Sequence, residues 1–327
     1  MGEFELLAKI RELLPASGPQ VRVGSGDDAS VTVPDGATAT SVDALVEGVH
    51  FRREHASLAQ IGRKALASAL SDLAAMGAEP GEAYVALGVP PELAEEECLE
   101  LLRGLLELAG ETGTTLAGGD LTRAPALSLT TTVVGHAPAP EQLVTRSGGR
   151  PGDALVLTGE IGAAAAGLLS LDLPECAEAL PAESLARLRD RQLDPTPRLK
   201  GGRALARCGA TAMIDLSDGL GGDATRLAES SEVGVAIDAS ALPLADGVAQ
   251  VAAALDRDPI ELAASGGEDY ELLAALPPDR VAEAASAVTA AEGLTLRPIG
   301  ELVGGGGVEI RLPGGSVLEP VGFDQLA

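Results

Sequence analysis

Six short acidic stretches recur along the chain. They are Gly26-Asp27-Asp28, Ser41-Val42-Asp43, Leu70-Ser71-Asp72-Leu73, Gly118-Gly119-Asp120, Ile214-Asp215-Leu216-Ser217-Asp218-Gly219 and Ser265-Gly266-Gly267-Glu268-Asp269-Tyr270. Nearly all lie beside glycine or at the end of an apolar run. Carboxylates that converge on one cleft repel one another unless cations sit between them. A few carboxylate oxygens per ion, completed by waters and substrate phosphates, are the usual setting for Mg²⁺. The pattern points to a magnesium–nucleotide site.

Other chemistries lack their residues. No GxxxxGK[ST] phosphate loop and no GxGxxG occurs, and Gly24-Ser25-Gly26-Asp27-Asp28 completes neither. The protein-kinase signature set and a Gly-x-Ser-x-Gly elbow are missing too. Asp215-Leu216-Ser217-Asp218-Gly219 lacks the spacing and terminal Glu of an EF-hand. The histidines, His50, His55 and His136, show no i, i+4 metal spacing, so zinc is disfavoured. ATP, if this chain handles it, is then held through metals and the backbone N–H groups of glycine turns.

Each acidic position also has a plainer use. Lys64, Ser68 and Asp72 share one face of a helix expected over 57–76. That stripe is either solvated or lines a cleft. Asp43, expected at a strand end, and Asp27-Asp28 would both serve as ordinary turn residues. Asp215 follows Ala-Met-Ile, where a buried strand emerges, and the Ser-Asp-Gly after it suits a helix cap facing an anion. Gly118-Gly119-Asp120 has the same strand-then-glycine character and would let a nucleotide approach the backbone. Arg146 is either a surface residue or a phosphate contact. Phe323 either packs on the surface or stacks on a flat ligand ring.

These motifs need a scaffold, and the chain is long enough for two domains, with 327 residues and 46% hydrophobic content. Its formal net charge is −26. That balance argues against nucleic acid, which needs a Lys/Arg footprint, and against an anionic membrane surface. A polyanionic substrate would be repelled unless metal ions bridge it. The three cysteines have no paired spacing, which fits a reducing compartment. The N-terminus reads as an amphipathic helix rather than a signal peptide, and no run reaches a membrane span. The expected location is cytoplasmic.

Periodicity predicts helices over 3–14, 57–76 and from Pro90-Pro91 to about 109. Strands are expected over 31–33, 38–43, 81–89, 114–117 and 127–134, the fourth stopping at Gly118-Gly119-Asp120. The second half alternates strands (154–157, 211–214, 233–237, 270–275, 294–300) with helices (161–169, 181–191, 219–230, 278–291). A Pro-, Gly- and charge-rich stretch over 138–153 reads as a joint. The expected organisation is an N-terminal ATP/Mg-binding and dimerisation domain over 1–137, the joint over 138–153, and a C-terminal α/β domain over 154–327.

Taken together, the motifs resemble the thiamine-monophosphate kinases. The matching text includes Ser41-Val42-Asp43-Ala44-Leu45-Val46-Glu47-Gly48-Val49-His50-Phe51, Ala69-Leu70-Ser71-Asp72-Leu73-Ala74-Ala75-Met76-Gly77-Ala78 and Gly118-Gly119-Asp120-Leu121-Thr122-Arg123. It continues with Thr145-Arg146-Ser147-Gly148, Ile214-Asp215-Leu216-Ser217-Asp218-Gly219-Leu220 and Ser265-Gly266-Gly267-Glu268-Asp269-Tyr270-Glu271-Leu272. The resemblance implies the two-domain α/β (α+β) fold of aminoimidazole ribonucleotide synthetase, with the N-terminal sheets of a homodimer closing into a barrel and ATP across the cleft. It implies ATP-dependent phosphorylation of thiamine monophosphate to thiamine diphosphate, with several Mg²⁺ ions. Asp28, Ser41, Asp43, Asp72, Asp120, Asp215 and Asp218 fall on magnesium positions, and Asp43, Asp72, Asp120 and Asp215 carry catalysis. Gly119, Asp120, Arg146 and Ser217 fall on ATP contacts; His50, Glu268 and Phe323 fall on thiamine-phosphate contacts. The family usually has Thr where this chain has Val42. A hydroxyl ligand is lost there, and a backbone carbonyl or a water could replace it.

Other members of the superfamily fit less well. A selenophosphate synthetase would need a reactive Cys near the N-terminus, and none precedes Cys98. The hydrogenase-maturation relative ends in Cys, and this chain ends Gln325-Leu326-Ala327. An idle nucleotide-binding module would have lost several acidic positions, and all are filled.

Overall fold

The computed structural model describes residues 3–15, 18–25, 29–34 and 36–323. The chain divides into two compact units, one of Met1–Leu73 with Ala78–Pro140 and one of Ala74–Gly77 with Glu141–Ala327. Among the described residues, no helix is long and apolar enough to cross a membrane.

The first unit contains helix α1 (Glu3–Leu13) and a small hairpin of β1 (Val21–Val23) and β2 (Val31–Thr32). Strand β3 (Ala37–Val46), helix α2 (Leu58–Ala75), β4 (Glu79–Val89), α3 (Glu95–Thr112), β5 (Thr115–Arg123) and β6 (Ser128–Ala137) follow. The four long strands form one sheet in the order β3-β6-β4-β5. All neighbours are antiparallel except β4 and β5. Period-2 alternation gives the sheet two unlike faces. On β3, Ala39 and Leu45 are buried, while Thr38, Thr40, Val42 and Ala44 are exposed. Leu73 of α2 packs on Gly135 of β6, on the buried face.

Helix α3 lies close against α2. A Cβ on Gly104 would stand 2.0 Å from the Ala59 carbonyl oxygen, and one on Gly62 would stand 1.9 Å from that of Leu101. Only glycine admits such an approach of two helix backbones. The expected helix start at Pro90 is not observed. The chain turns after the prolines, and α3 begins at Glu95, where the Glu97 carboxylate accepts the Ala94 N–H at 2.7 Å.

The second unit is a seven-stranded sheet in the order β13-β12-β9-β11-β7-β10-β8. Its elements are β7 (Ala154–Thr158), α4 (Ala163–Asp172), α5 (Pro174–Glu178), α6 (Ala182–Leu193), α7 (Leu199–Arg207), β8 (Ala212–Asp215), α8 (Leu220–Ser231), β9 (Gly234–Asp238), α9 (Val248–Ala254), α10 (Pro259–Ser265), β10 (Leu272–Leu276), α11 (Val281–Glu292), β11 (Leu296–Val303), β12 (Gly307–Arg311) and β13 (Val317–Leu318). Strands β8 and β10 are buried at every residue, so both sheet faces are covered. Helices α7, α9 and α10 are absent from the sequence expectation. Their short spans, seven to nine residues, carry little period to detect.

The α2–α3 contact yields a paired test. Gly104→Ala should lower stability by roughly 1–3 kcal/mol, because a backbone oxygen occupies the methyl's place. Gly110→Ala, on the same helix with nothing within 4 Å, should raise it by about 0.5–1 kcal/mol. Denaturant midpoints decide the matter. Equal shifts of the two variants would contradict the close-approach account.

Candidate active site

In the first unit, Ser41 and Asp43 sit two residues apart on β3 and so share its inner face. Asp43 does not end the strand. The inward–outward alternation continues through Leu45, and β6 pairs with β3 as far as Val46. Asp72, on α2, reaches the same face, where its Oδ2 accepts the Ser41 hydroxyl at 2.5 Å. Asp43 Oδ1 accepts the Ala44 N–H at 2.8 Å. Of the helical stripe that contains Asp72, Lys64 and Ser68 are each only 3% exposed, so the stripe turns inward rather than towards water. Val42 points to the opposite face and is 61% exposed. No side chain at that position shares a face with Ser41 and Asp43; its backbone carbonyl is the group available. His50 lies in the turn after β3, where its Nδ1 accepts the Val46 N–H at 3.1 Å. The neutral ring then carries its proton on Nε2.

Gly119 and Asp120 are not in a turn. Strand β5 runs straight through the glycine pair to Arg123, because β4 pairs with it over that length. Cross-strand register puts Asp43, Thr131, Val85 and Gly119 in one row. Asp120 belongs to the next row, with Ala44, Thr130 and Ala86, and so projects from the outer face. Gly119 and Asp43 occupy opposite edges of the sheet, three strand spacings or ~14 Å apart. A cavity of ≈ 70 Å³ opens beside Gly119, lined by Leu7, Ile10, Val85, Leu102 and Leu116. Asp28 lies outside the described residues.

In the second unit, Asp215 ends β8 and is 2% exposed. The chain then turns through Ser217-Asp218-Gly219 into α8. Two backbone bonds tie this turn to the acidic loop before β10: Glu268 N–H to Ser217 O at 2.8 Å, and Tyr270 N–H to Leu216 O at 2.9 Å. Gly219 has φ +106°, and a Cβ there would stand 2.9 Å from the Ser265 oxygen. Phe323 also comes to this turn, its N–H donating to Asp218 O at 2.8 Å while the residue stays 53% exposed. Arg146 is exposed, and its carbonyl accepts the Ser231 hydroxyl at 2.8 Å. The structure therefore gathers Ser41, Asp43 and Asp72 in one unit, and Asp215, Ser217, Asp218, Glu268 and Phe323 in the other.

Several supporting residues escaped the sequence reading. Asp223, 1% exposed, accepts the Asp218 N–H at 3.0 Å, and Arg226 bridges Asp223 and Asp218 at 2.6 Å each. Burial pushes the Asp223 carboxyl up to about 6, opposed by the Asp218 N–H and by Arg226. Glu271, 1% exposed, takes two bonds from Arg198 (3.0 and 2.5 Å), one from Arg191 (2.8 Å) and one from Thr158 (2.7 Å). Burial pulls the Arg198 guanidinium down, but Glu271 more than offsets this and leaves it above its usual value. Asp269 accepts the Gly162 and Ala164 N–H groups at the start of α4, at 2.7 and 3.1 Å. Burial still raises its carboxyl to about 6. The one signal in the sequence was three carboxylates within Glu268–Glu271. Such a run needs donors close by, and the arginines that supply two of them lie some 75 residues earlier.

Residues 26–137 match the N-terminal domain of AIR synthase related proteins, and residues 150–313 match their C-terminal domain. Thiamine-monophosphate kinase of Escherichia coli K12 is 40% identical over 280 residues, 84% of this chain and 83% of that protein. The chain belongs to the thiamine-monophosphate kinase family. A crystal structure of the Stenotrophomonas maltophilia K279a kinase superposes with a TM-score of 0.82 at 34% identity, covering 96% of this chain and 97% of that one. AaThiL complexed with AMPPCP and TMP gives 0.77 at 28% identity, over 98% and 96%. The two-domain fold of the kinase family is therefore the fold of this chain.

Asp223 gives a pH prediction. A carboxyl whose folded pKa exceeds its unfolded value takes up a proton on folding between the two. Its favourable share is complete below about 3.8 and is lost as pH rises through about 6. Asp223→Asn cannot titrate. Its melting temperature should gain on that of the parent between pH 4 and 6.5, by the equivalent of at most about 3 kcal/mol. A gap independent of pH would contradict the raised value.

Proposed function

We propose that the protein transfers the γ-phosphoryl group of ATP directly to the phosphate of thiamine monophosphate, giving thiamine diphosphate and ADP. The observation that carries this reading is the likeness, over 98% of the chain, to AaThiL complexed with AMPPCP, an ATP analogue, and TMP. A phosphate oxygen of the acceptor forms a bond to the γ-phosphorus, and the bond from that phosphorus to the β,γ-bridging oxygen breaks. The acceptor is already anionic near neutral pH, so no strong general base is required. What opposes reaction is repulsion between two phosphate groups, and positioning with charge neutralisation addresses it.

The donor chemistry of the site suits Mg²⁺. Ser41, Asp43 and Asp72 offer hard oxygens on one sheet face, with no sulfur or imidazole among them. Among the described residues, no group of three or more His, Cys, Asp or Glu could hold a metal. Magnesium ions are commonly bound by one or two carboxylates and completed by phosphates and water. Asp28, Ser41, the Val42 carbonyl, Asp43, Asp72, Asp120, Asp215 and Asp218 would hold the ions. Bound Mg²⁺ would supply neutralisation of phosphate charge. In this reading Gly119, Asp120, Arg146 and Ser217 bind ATP, while His50, Glu268 and Phe323 bind the thiamine phosphate.

We place the activity in a cytoplasmic homodimer. The outer face of the first sheet, with Thr40, Val42 and Ala44 exposed, is the surface for a second copy. Asp43 and Asp120 project from opposite faces at opposite edges of one sheet. The cysteines are all free and buried, which suits a reducing compartment.

The test is ADP release with Mg²⁺ and ATP against two acceptors. Thiamine monophosphate should turn over and unphosphorylated thiamine should not; equal rates would contradict the proposal. Asp43→Ala should lower turnover by at least ~100-fold at saturating Mg²⁺ with an unchanged melting temperature. Near-parental turnover in that variant would remove Asp43 from the site.

A further inference from the structure

The turn after β8 carries a cation of its own. Arg226, on α8, directs its two terminal nitrogens to different carboxylates. Nη1 lies 2.6 Å from Asp223 Oδ1, and Nη2 lies 2.6 Å from Asp218 Oδ2. Asp223 is the fixed end of this bridge. It stands three residues before Arg226, is 1% exposed, and accepts the Asp218 N–H on its other oxygen at 3.0 Å. Stranding a buried carboxylate without its cation is costly, so Asp223 keeps the guanidinium in place. Asp218 is the other end, and its backbone is held from several sides. Its N–H is taken by Asp223, and its carbonyl accepts the Phe323 N–H at 2.8 Å. Its neighbour Ser217 accepts the Glu268 N–H at 2.8 Å. That last bond comes from a loop in which Glu268 and Tyr270 have φ of +66° and +50°, the left-handed region that disfavours residues with a Cβ.

The arrangement sets two cations against one carboxylate. A Mg²⁺ ion about 2.1 Å from an Asp218 oxygen would stand within ~7 Å of the guanidinium, where like charges repel even through water. Arg226 is tethered to Asp223, so binding of the ion does not simply send it away. The repulsion is relieved when a third group brings negative charge. Nucleotide phosphates do so, because they coordinate a metal and also accept charge-assisted hydrogen bonds from a guanidinium. The side chain of Arg226 is 42% exposed against 1% for that of Asp223. The outer edge of its fork therefore faces solvent, from which such an anion arrives.

We propose that Arg226 competes with magnesium for Asp218, so that this metal position fills together with the nucleotide rather than before it. Arg226 is an internal counter-cation. It matches the buried charge of Asp223 and ties metal binding at the neighbouring carboxylate to the arrival of phosphates. The inference rests on the reading of Asp218 as a magnesium ligand.

Mn²⁺ titration followed by electron paramagnetic resonance tests it, since Mn²⁺ suits the same oxygen ligands and the readout needs no turnover. Without nucleotide, Arg226→Gln should bind one Mn²⁺ per chain ~10-fold more tightly than the parent, the scale of one unit charge removed from a partly solvated site. With AMPPCP at matched concentration the two should agree within ~2-fold, because the phosphates offset the arginine. Arg226→Lys keeps the charge and should behave as the parent does. Asp218→Asn separates the two levels of the argument, and it serves alone if Arg226→Gln does not fold. It should bind one ion fewer than the parent with AMPPCP present, and the same number without it. If Asp218→Asn changes the count in neither condition, Asp218 is not a metal ligand and the inference fails with that reading. If it loses one ion in both conditions, Asp218 stands as a ligand and the role of Arg226 is overturned. An Arg226→Gln variant with parental Mn²⁺ affinity in the absence of nucleotide would also overturn it. So would a gain in affinity that survives when Asp218→Asn is added, because the ion would then sit elsewhere.

Discussion

Like charges brought together must be compensated, and that constraint sorts the carboxylates of this chain. The protein has a formal net charge of −26, so cations are scarce and their placement matters. In the second unit, three arginines are spent on two buried centres, Glu271 and the Asp218–Asp223 pair. Asp269 is met by backbone amides instead. These compensated groups form a rigid frame in which a strained loop and the turn after β8 hold each other. Removing a partner from such a buried pair strands a charge, which costs far more than the pair contributes. Two carboxylates of the first unit differ. Among the described residues, Asp43 accepts the next residue's amide and Asp120 has no hydrogen bond or ion pair. In the proposed site these carboxylates are the ones offered to cations and to the phosphates those cations carry.

Sheet geometry imposes the second constraint. A side chain's face is decided by register, and a shift of one residue reverses it. Ser41 and Asp43 share a face with Asp72 above them, whereas Val42 and Asp120 belong to the other. The replacement of the family's Thr by Val42 therefore falls on a side chain directed away from the Ser41–Asp72 contact. In the proposed metal site its cost would be limited to what the outer face contributes, and the backbone carbonyl is retained.

Much of this was legible in the sequence, and the failures have physical causes. The helical face bearing Asp72 followed from spacing, and Asp215 at the end of a buried strand followed from the apolar run before it. The end of β3 was misplaced because Asp43 looks like a turn residue; ten consecutive pairings with β6 override that local preference. The glycine pair at Gly118-Gly119 looked like a strand stop for the same reason, yet parallel pairing with β4 carries β5 through it. The anchors of the Glu268 loop were invisible. Arg191, Gln192 and Arg198 lie more than 70 residues away in sequence, and nothing local marks an arginine as buried.

In the proposed reaction, placed carboxylates, the cations they hold and a phosphate acceptor act with no phosphorylated enzyme between them. His50 is the one histidine within a motif, and its Nδ1 is occupied by the Val46 amide. No cysteine is exposed among the three, all of which are buried. A single displacement inverts configuration at phosphorus, and a double displacement through the enzyme retains it. The decisive measurement uses ATP made chiral at the γ-phosphorus and determines the configuration of the transferred group in thiamine diphosphate. Inversion is the expected result. Retention would contradict direct transfer and with it this account of the acidic motifs.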